Sequence, residues 1–273
     1  MKNKIFNWLV IGTLVMVSHQ VSANITGWTT IGNSGVSSAT DGVVTIPSPY
    51  SSVNWISTDG GVTGNVGGYG GTDGSIVTSN PFVVTSAGSA LTFAFDFVTS
   101  DGTTSFPDYA WANLYNASDN SLVATLFTAT TNPSGSTVPG IGAGLPAISA
   151  TITPSNASVF TGPGSTDWSP LGVSSGTCYI DYTQGCGNTG WVNASYDVLS
   201  PGNYYLIFGV ANAGDQVFDT GMAFVGTAIG GVPIEDVTVP EPTTIVLMAI
   251  GLAALATRRR SLISNNIDGF LRA

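Results

Sequence analysis

The sequence has almost no positive charge, and this scarcity excludes whole classes of partner. Six of its 273 residues are Lys or Arg, against 16 Asp and Glu, and the net charge is −10. No Lys or Arg occurs between Ile5 and Thr257. Nucleic acids and anionic membrane surfaces are bound through basic side chains. We therefore expect neither as a partner of this region, whereas neutral polymers and divalent cations fit it.

Histidine is nearly absent as well, which removes the usual catalytic base. His19 is the single histidine and lies near the N-terminus. Serine and cysteine nucleophiles are commonly activated by histidine. Carboxylate chemistry remains, but no pair of acids stands out, and the two glutamates of the sequence are Glu235 and Glu241. We predict that the protein is not an enzyme and has no catalytic residues; a carboxylate-dependent hydrolase is the third-ranked alternative.

The N-terminal residues have the pattern of an export signal. Lys2 and Lys4 precede the apolar run Ile5–Val17, and Val21-Ser22-Ala23 ends in a small residue. A basic start, a short apolar run and a small-residue cleavage site are typical of a secretory signal peptide. We predict that residues 1–23 are removed.

A second signal lies near the C-terminus. Pro240-Glu241-Pro242 is followed by an apolar run over 243–257 and then by Arg258, Arg259 and Arg260. The run is short for a membrane core of about 30 Å, and the arginines favour a cytoplasmic position. We predict a sorting signal at 239–260 with one short transmembrane helix, which holds the protein in the inner membrane transiently, and a cytoplasmic tail at 261–273.

This order of motif, apolar run and arginines resembles the PEP-CTERM sorting signal of Gram-negative bacteria. The resemblance implies processing by an exosortase, a membrane protease that recognises the tripeptide. It also implies export across the inner membrane to the cell surface, the outer membrane or the extracellular matrix. Proteins of this family accompany exopolysaccharide and biofilm production, so exopolysaccharide is an expected partner.

Residues 24–238 read as one all-β domain. Leu91, Phe93, Phe95 and Phe97 alternate with smaller residues, which is the period of a strand with one buried face. Glycine is abundant, with 35 residues, and the glycine-rich stretches Ser57–Ser75 and Asn132–Leu145 are predicted surface loops. We predict a jelly-roll-like β-sandwich, with further strands at Trp111–Tyr115, Leu122–Thr128, Ile148–Thr153, Tyr204–Val210 and Met222–Ile229.

Two blocks of this domain resemble the bodies of certain PEP-CTERM and choice-of-anchor β-sandwich proteins. The first comprises Phe95–Asp101 and Phe106–Ala110, and the second comprises Val210–Asp215 and Asp219–Gly221. The resemblance implies a module of the cell surface or matrix and implies no reaction.

Cys178 and Cys186 are the two cysteines of the sequence. Exported proteins fold in an oxidising compartment, where cysteines pair. Without histidine, two thiolates lack the partners of a metal site or a catalytic thiolate. We predict a structural disulfide between them.

Several aspartates occupy predicted turns and could bind a cation. Asp101 and Asp108 flank one loop, and Asp215 and Asp219 flank another. Calcium takes six to eight oxygen ligands in irregular geometry, and no basic side chain is available to neutralise a buried cluster. One interpretation is that these four residues bind Ca²⁺; the alternative is that each aspartate caps its own turn.

Two aromatic residues are predicted to be exposed and to bind a glycan. They are Tyr69, in the glycine-rich loop, and Trp168, in a turn beside Pro170. The sequence thus predicts a structural or adhesive protein associated with exopolysaccharide or biofilm, with a carbohydrate-binding module as the alternative.

Overall fold

The computed structural model describes residues 25, 27–131, 136–140, 144–182 and 185–234. The predicted signal peptide, sorting signal, transmembrane segment and tail lie outside these residues. Within them, no helix is both long and apolar enough to cross a membrane. The same residues contain two short 3₁₀ helices, Val66–Gly68 and Ser169–Ser174.

Fifteen strands make up the regular structure of the described residues. They are β1 (Thr29–Ile31), β2 (Asn33–Ser37), β3 (Val53–Ser57), β4 (Val62–Thr63), β5 (Asp73–Thr78), β6 (Phe82–Val84), β7 (Ser89–Thr99), β8 (Tyr109–Asn116), β9 (Leu122–Thr130), β10 (Thr151–Thr153), β11 (Gly187–Asn188), β12 (Val192–Val198), β13 (Gly202–Asn212), β14 (Thr220–Ile229) and β15 (Val232–Pro233).

The strands form two antiparallel sheets that pack face to face. Sheet A has the order β1-β5-β13-β8-β9, with β4 beside β5 and β6 beside β13. Sheet B has the order β10-β12-β7-β14-β3-β2, with β11 beside β7 and β15 beside β14. The predicted β-sandwich is therefore confirmed.

The core between the sheets follows the predicted alternation. Phe95 of β7 stacks on Phe127 of β9, with ring centroids 3.8 Å apart, and Phe208 of β13 stacks on Phe224 of β14 at 4.4 Å. All four rings are buried. Because alternate residues of each strand point to the same face, these long strands contribute a ring or aliphatic chain at every second position.

The outer face of sheet B is covered by the segment that precedes β12. Trp168 lies there, only 1% exposed, in a second apolar cluster with Trp55 and Leu171. Its ring sits over Gly221 of β14, where a Cβ atom would approach it to 2.5 Å. The predicted exposure of Trp168 is therefore wrong, because a glycine on a distant strand opens the space that buries the indole.

The outer face of sheet A is partly covered by the glycine-rich loop. The Trp111 ring lies between Gly209 of β13 and Gly67 of the loop, and a Cβ at either glycine would come within 2.1 Å of it. Gly67 also has a positive φ of 80°, which favours glycine. The stretch Ser57–Ser75 is not entirely loop, since it contains β4 and the first residues of β5.

Candidate functional site

A layer of polar residues closes one end of the apolar core. It consists of Thr99, Asp101, Asp108, Asn212 and Thr220, all fully buried, and we call it the polar layer. Thr99 and Asn212 are the last residues of β7 and β13, and Thr220 is the first residue of β14. All three are in phase with the core positions of their strands. The alternation that buries phenylalanines in mid-strand therefore buries polar side chains at the strand ends.

Asp108 connects the two sheets within this layer. Its Oδ2 accepts a hydrogen bond from the Thr220 hydroxyl at 2.7 Å, and its Oδ1 accepts one from the Ala213 backbone N–H at 2.9 Å. Burial raises the pKa of Asp108 well above its ordinary value, and the neighbouring charge of Asp101 raises it further. Two hydrogen bonds from neutral donors partly compensate the burial of this carboxyl.

Asp101 carries an unpaired oxygen in the same layer. Its Oδ1 accepts a bond from the Thr103 backbone N–H at 3.0 Å, whereas its Oδ2 is buried and has no partner among the residues that the structure describes. Burial raises the pKa of Asp101 to about 7. Asn212, which the sequence did not single out, is fully buried, and its side chain lies beside the Asp73 carboxyl.

The four aspartates predicted to bind calcium fall into two groups. The charges of Asp101, Asp108 and Asp215 interact with one another. Asp219 accepts bonds instead from the hydroxyls of Thr58 at 3.1 Å and Ser174 at 2.7 Å. Among the described residues, no three acidic, histidine or cysteine side chains come together so that they could hold a metal ion. Calcium binding stays a prediction.

The predicted disulfide is present between Cys178 and Cys186. It lies in the segment that covers sheet B. Cys186 is fully buried, and its sulfur contacts the Ser100 carbonyl oxygen at 3.0 Å. The disulfide therefore holds this segment beside the end of β7.

Three tyrosines lie along the outer face of sheet A. Tyr69, Tyr115 and Tyr205 are each partly exposed, and we call them the aromatic row. Tyr115 and Tyr205 are directly paired across β8 and β13, and their rings stack with centroids 5.3 Å apart and planes 10° from parallel. The row presents aromatic surface to solvent on the side of the sheet away from the core.

Asn113 joins the members of the row. Its amide nitrogen donates to the Tyr69 hydroxyl at 3.0 Å and to the Tyr115 hydroxyl at 3.4 Å. Its Oδ1 is buried without a partner among the described residues. Tyr69 also packs edge-on against Trp111, at a centroid distance of 5.5 Å. These contacts with the sheet hold Tyr69 in place. Tyr115 and Tyr205 were not predicted as exposed aromatic residues, although they occupy outward positions of predicted strands.

The comparisons with known proteins are informative for the sorting signal but not for the domain. No curated protein matches the chain. Among solved structures, the chain is similar to the bacteriophage CBA120 tailspike protein 4 enzymatically active domain, at 9% identity and a TM-score of 0.35. The similarity covers 76% of this chain and 20% of that chain, so the chain spans about a fifth of the tailspike structure. A likeness this low bears on neither fold nor function.

Residues 238–260 match the model of the PEP-CTERM protein-sorting motif. The match contains the Pro240-Glu241-Pro242 tripeptide, the apolar run and the three arginines. The chain therefore carries a PEP-CTERM sorting motif, which indicates an exported surface protein that an exosortase sorts.

Proposed function

We propose that this protein is a surface or matrix component that associates with neutral exopolysaccharide through the aromatic row. The observation that carries the proposal is the stacked pair Tyr115 and Tyr205, partly exposed on the outer face of sheet A. Tyrosine combines an apolar ring with a polar tip, and it suits surfaces that are partly wet. A sugar ring offers the matching combination of an apolar face and hydroxyl groups.

The charge of the domain supports a neutral polymer. With no Lys or Arg between Ile5 and Thr257, the domain has no cation to pair with the carboxylates or sulfates of an acidic polysaccharide. Its own acidic residues repel such a polymer. A binding role is also favoured over catalysis, because the carboxyl groups of Asp96, Asp101 and Asp108 are buried.

Substitution in the row tests the proposal. Each lost aromatic contact costs about 0.5–1.5 kcal/mol, which weakens binding by roughly two- to twelvefold. Tyr115→Ala and Tyr205→Ala should reduce retention of the purified protein in gels that contain the producing strain's exopolysaccharide. Tyr205→Phe, which keeps the ring, should retain binding.

Tyr182→Ala provides the matched control, because Tyr182 is a partly exposed tyrosine outside the row. Equal retention of the wild type and both alanine variants, with all proteins folded by circular dichroism, would remove the row as a binding surface.

A further inference from the structure

A cavity of about 380 Å³ opens at the end of β14 away from the polar layer. Its floor is formed by Trp28, Asn54 and Thr227, which are all buried. Its rim includes the exposed residues Pro49 and Tyr50. Small-molecule sites are concave spaces of roughly 300–1,000 Å³ with a few convergent polar groups, and this cavity has that size.

Each of the three floor residues has a buried polar atom that has no hydrogen-bond partner within the part of the chain that the structure describes. These atoms are Trp28 Nε1, Asn54 Oδ1 and Thr227 Oγ1. Together they supply a donor, an acceptor and a hydroxyl that can do either. A buried polar group without a hydrogen bond costs about 1–3 kcal/mol, so a polar ligand that reached these three groups from the cavity would gain by pairing with them.

The backbone of β14 is irregular where it lines the cavity. The register against β7 shifts between Val225 and Ala228, and Gly226 has a positive φ of 70°. A Cβ at Gly226 would lie 2.1 Å from the Tyr50 hydroxyl. The glycine therefore allows Tyr50 to lie against the bulge, and bulges commonly re-aim side chains beside functional sites.

A second cavity, of about 520 Å³, adjoins the first. The two share Pro49, Tyr50 and Gly226, and the second is also lined by Trp191. The Trp191 ring is fixed by a hydrogen bond from its Nε1 to the Thr45 carbonyl at 2.9 Å. Tyr50 thus lines two adjacent cavities, each with a tryptophan in its wall.

We propose that the first cavity binds one sugar residue of a neutral glycan and that the second binds the next residue. No described residue that lines either cavity carries a charge at neutral pH, which disfavours an ionic ligand. A sugar ring has hydroxyls to pair with Trp28, Asn54 and Thr227, and apolar C–H faces to pack on aromatic rings. This site shares no residue with the aromatic row and does not depend on the proposed function.

Isothermal titration calorimetry of the purified full-length protein tests the site. The probes are cellobiose, maltose and lactose, with glucose and galactose as their single-residue counterparts and glucuronic acid as an anionic control. A neutral disaccharide should bind more tightly than its monosaccharides, because it fills both cavities, and glucuronic acid should not bind. Absence of binding by all three disaccharides would overturn the proposal.

Thr227→Val removes the unpaired hydroxyl with little change of shape. It should weaken disaccharide binding by about fivefold, the effect of one hydrogen bond, while the unliganded protein melts at the same or a higher temperature. Thr137→Val is the matched control, since Thr137 Oγ1 is also buried and unpaired but lies outside both cavities.

Disaccharide binding that Thr227→Val leaves unchanged would overturn the proposal, because the bound sugar would then not pair with Thr227 in the first cavity. Because Thr227 lies apart from the aromatic row, this result is independent of what the row variants do to polysaccharide retention.

Discussion

Thr220 of sheet B donates a hydrogen bond to Asp108 Oδ2 at 2.7 Å and so joins the two sheets through a fully buried carboxyl. Carboxyls in protein interiors are usually paired with Lys or Arg, but this sequence has neither between Ile5 and Thr257. Burial therefore raises the pKa of Asp108 well above its ordinary value. The same physical cause raises the pKa of Asp96 and of Asp101 to about 7.

The first prediction concerns pH. In the unfolded chain these carboxyls lose their protons near pH 3.8, whereas in the folded protein burial raises the pKa of Asp96 and Asp101 to about 7 and the pKa of Asp108 well above its ordinary value. The folded state thus binds more protons between these values, and the free energy of unfolding falls as pH rises through this window, by up to about 1.4 kcal/mol per pH unit for each carboxyl. Urea unfolding at pH 5 and at pH 8 should give the higher midpoint at pH 5.

Two substitutions distinguish the effect of a buried carboxyl on this pH dependence from the effect of a surface carboxyl. Asp108→Asn keeps the shape of the side chain and cannot ionise, so it should flatten the pH dependence of the urea midpoint. Asp119→Asn should leave that dependence unchanged, because Asp119 is fully exposed and bonded to Ser121 in its own turn. If the urea midpoints of the wild type and Asp108→Asn change with pH in parallel, the buried Asp108 carboxyl is not the cause of the pH dependence.

The second prediction concerns the disulfide. Reduction of Cys178–Cys186 should lower the free energy of unfolding by about 2–3 kcal/mol, because the short loop is no longer closed in the unfolded chain. Guanidinium unfolding with and without reductant measures the difference. In the double variant Cys178→Ser, Cys186→Ser, reductant should have no effect, and an equal effect there would point to another cause.

The third prediction concerns processing. The signal-peptide pattern and the PEP-CTERM motif at residues 238–260 together predict cleavage near both ends. Intact-mass spectrometry of the surface-exposed protein should find neither residues 1–23 nor Arg258–Arg260. Retention of the arginines in most mature molecules would contradict sorting by an exosortase.

The fourth prediction concerns calcium at Asp101, Asp108, Asp215 and Asp219. The charges of Asp101, Asp108 and Asp215 interact with one another, and a bound cation would offset their repulsion. The melting temperature should therefore be higher in millimolar Ca²⁺ than in chelator, since a ligand that binds the folded state stabilises it, and Asp101→Asn should abolish the difference. Equal melting temperatures in Ca²⁺ and in chelator would contradict the calcium prediction and leave these aspartates as turn caps.

The long strands could be predicted because their alternation is strong. Phe93, Phe95 and Phe97 repeat at every second position, and the structure places all three in the core. β5 was not predicted, since it starts within the glycine-rich run and places Asp73 and Ser75 on its buried face. Polar residues at the buried end of a strand conceal the period on which the prediction depends.

The sites were harder to predict because they join distant segments. Trp168 is buried because its ring packs over Gly221 of a distant strand. The first cavity brings together Trp28, Asn54 and Thr227 from three separate parts of the chain. Tyr115 and Tyr205 were not predicted as exposed residues, and their pairing depends on β8 lying beside β13. Sheet order of this kind is not encoded in local sequence patterns.

Glycan-array binding of the purified protein tests the central claim, that the domain binds neutral polysaccharide. The account predicts binding to one or more uncharged glycans, no binding to uronic-acid or sulfated glycans, and a signal reduced by Tyr115→Ala. Binding confined to anionic glycans, or to none on an array that includes the producing strain's own exopolysaccharide, would contradict it.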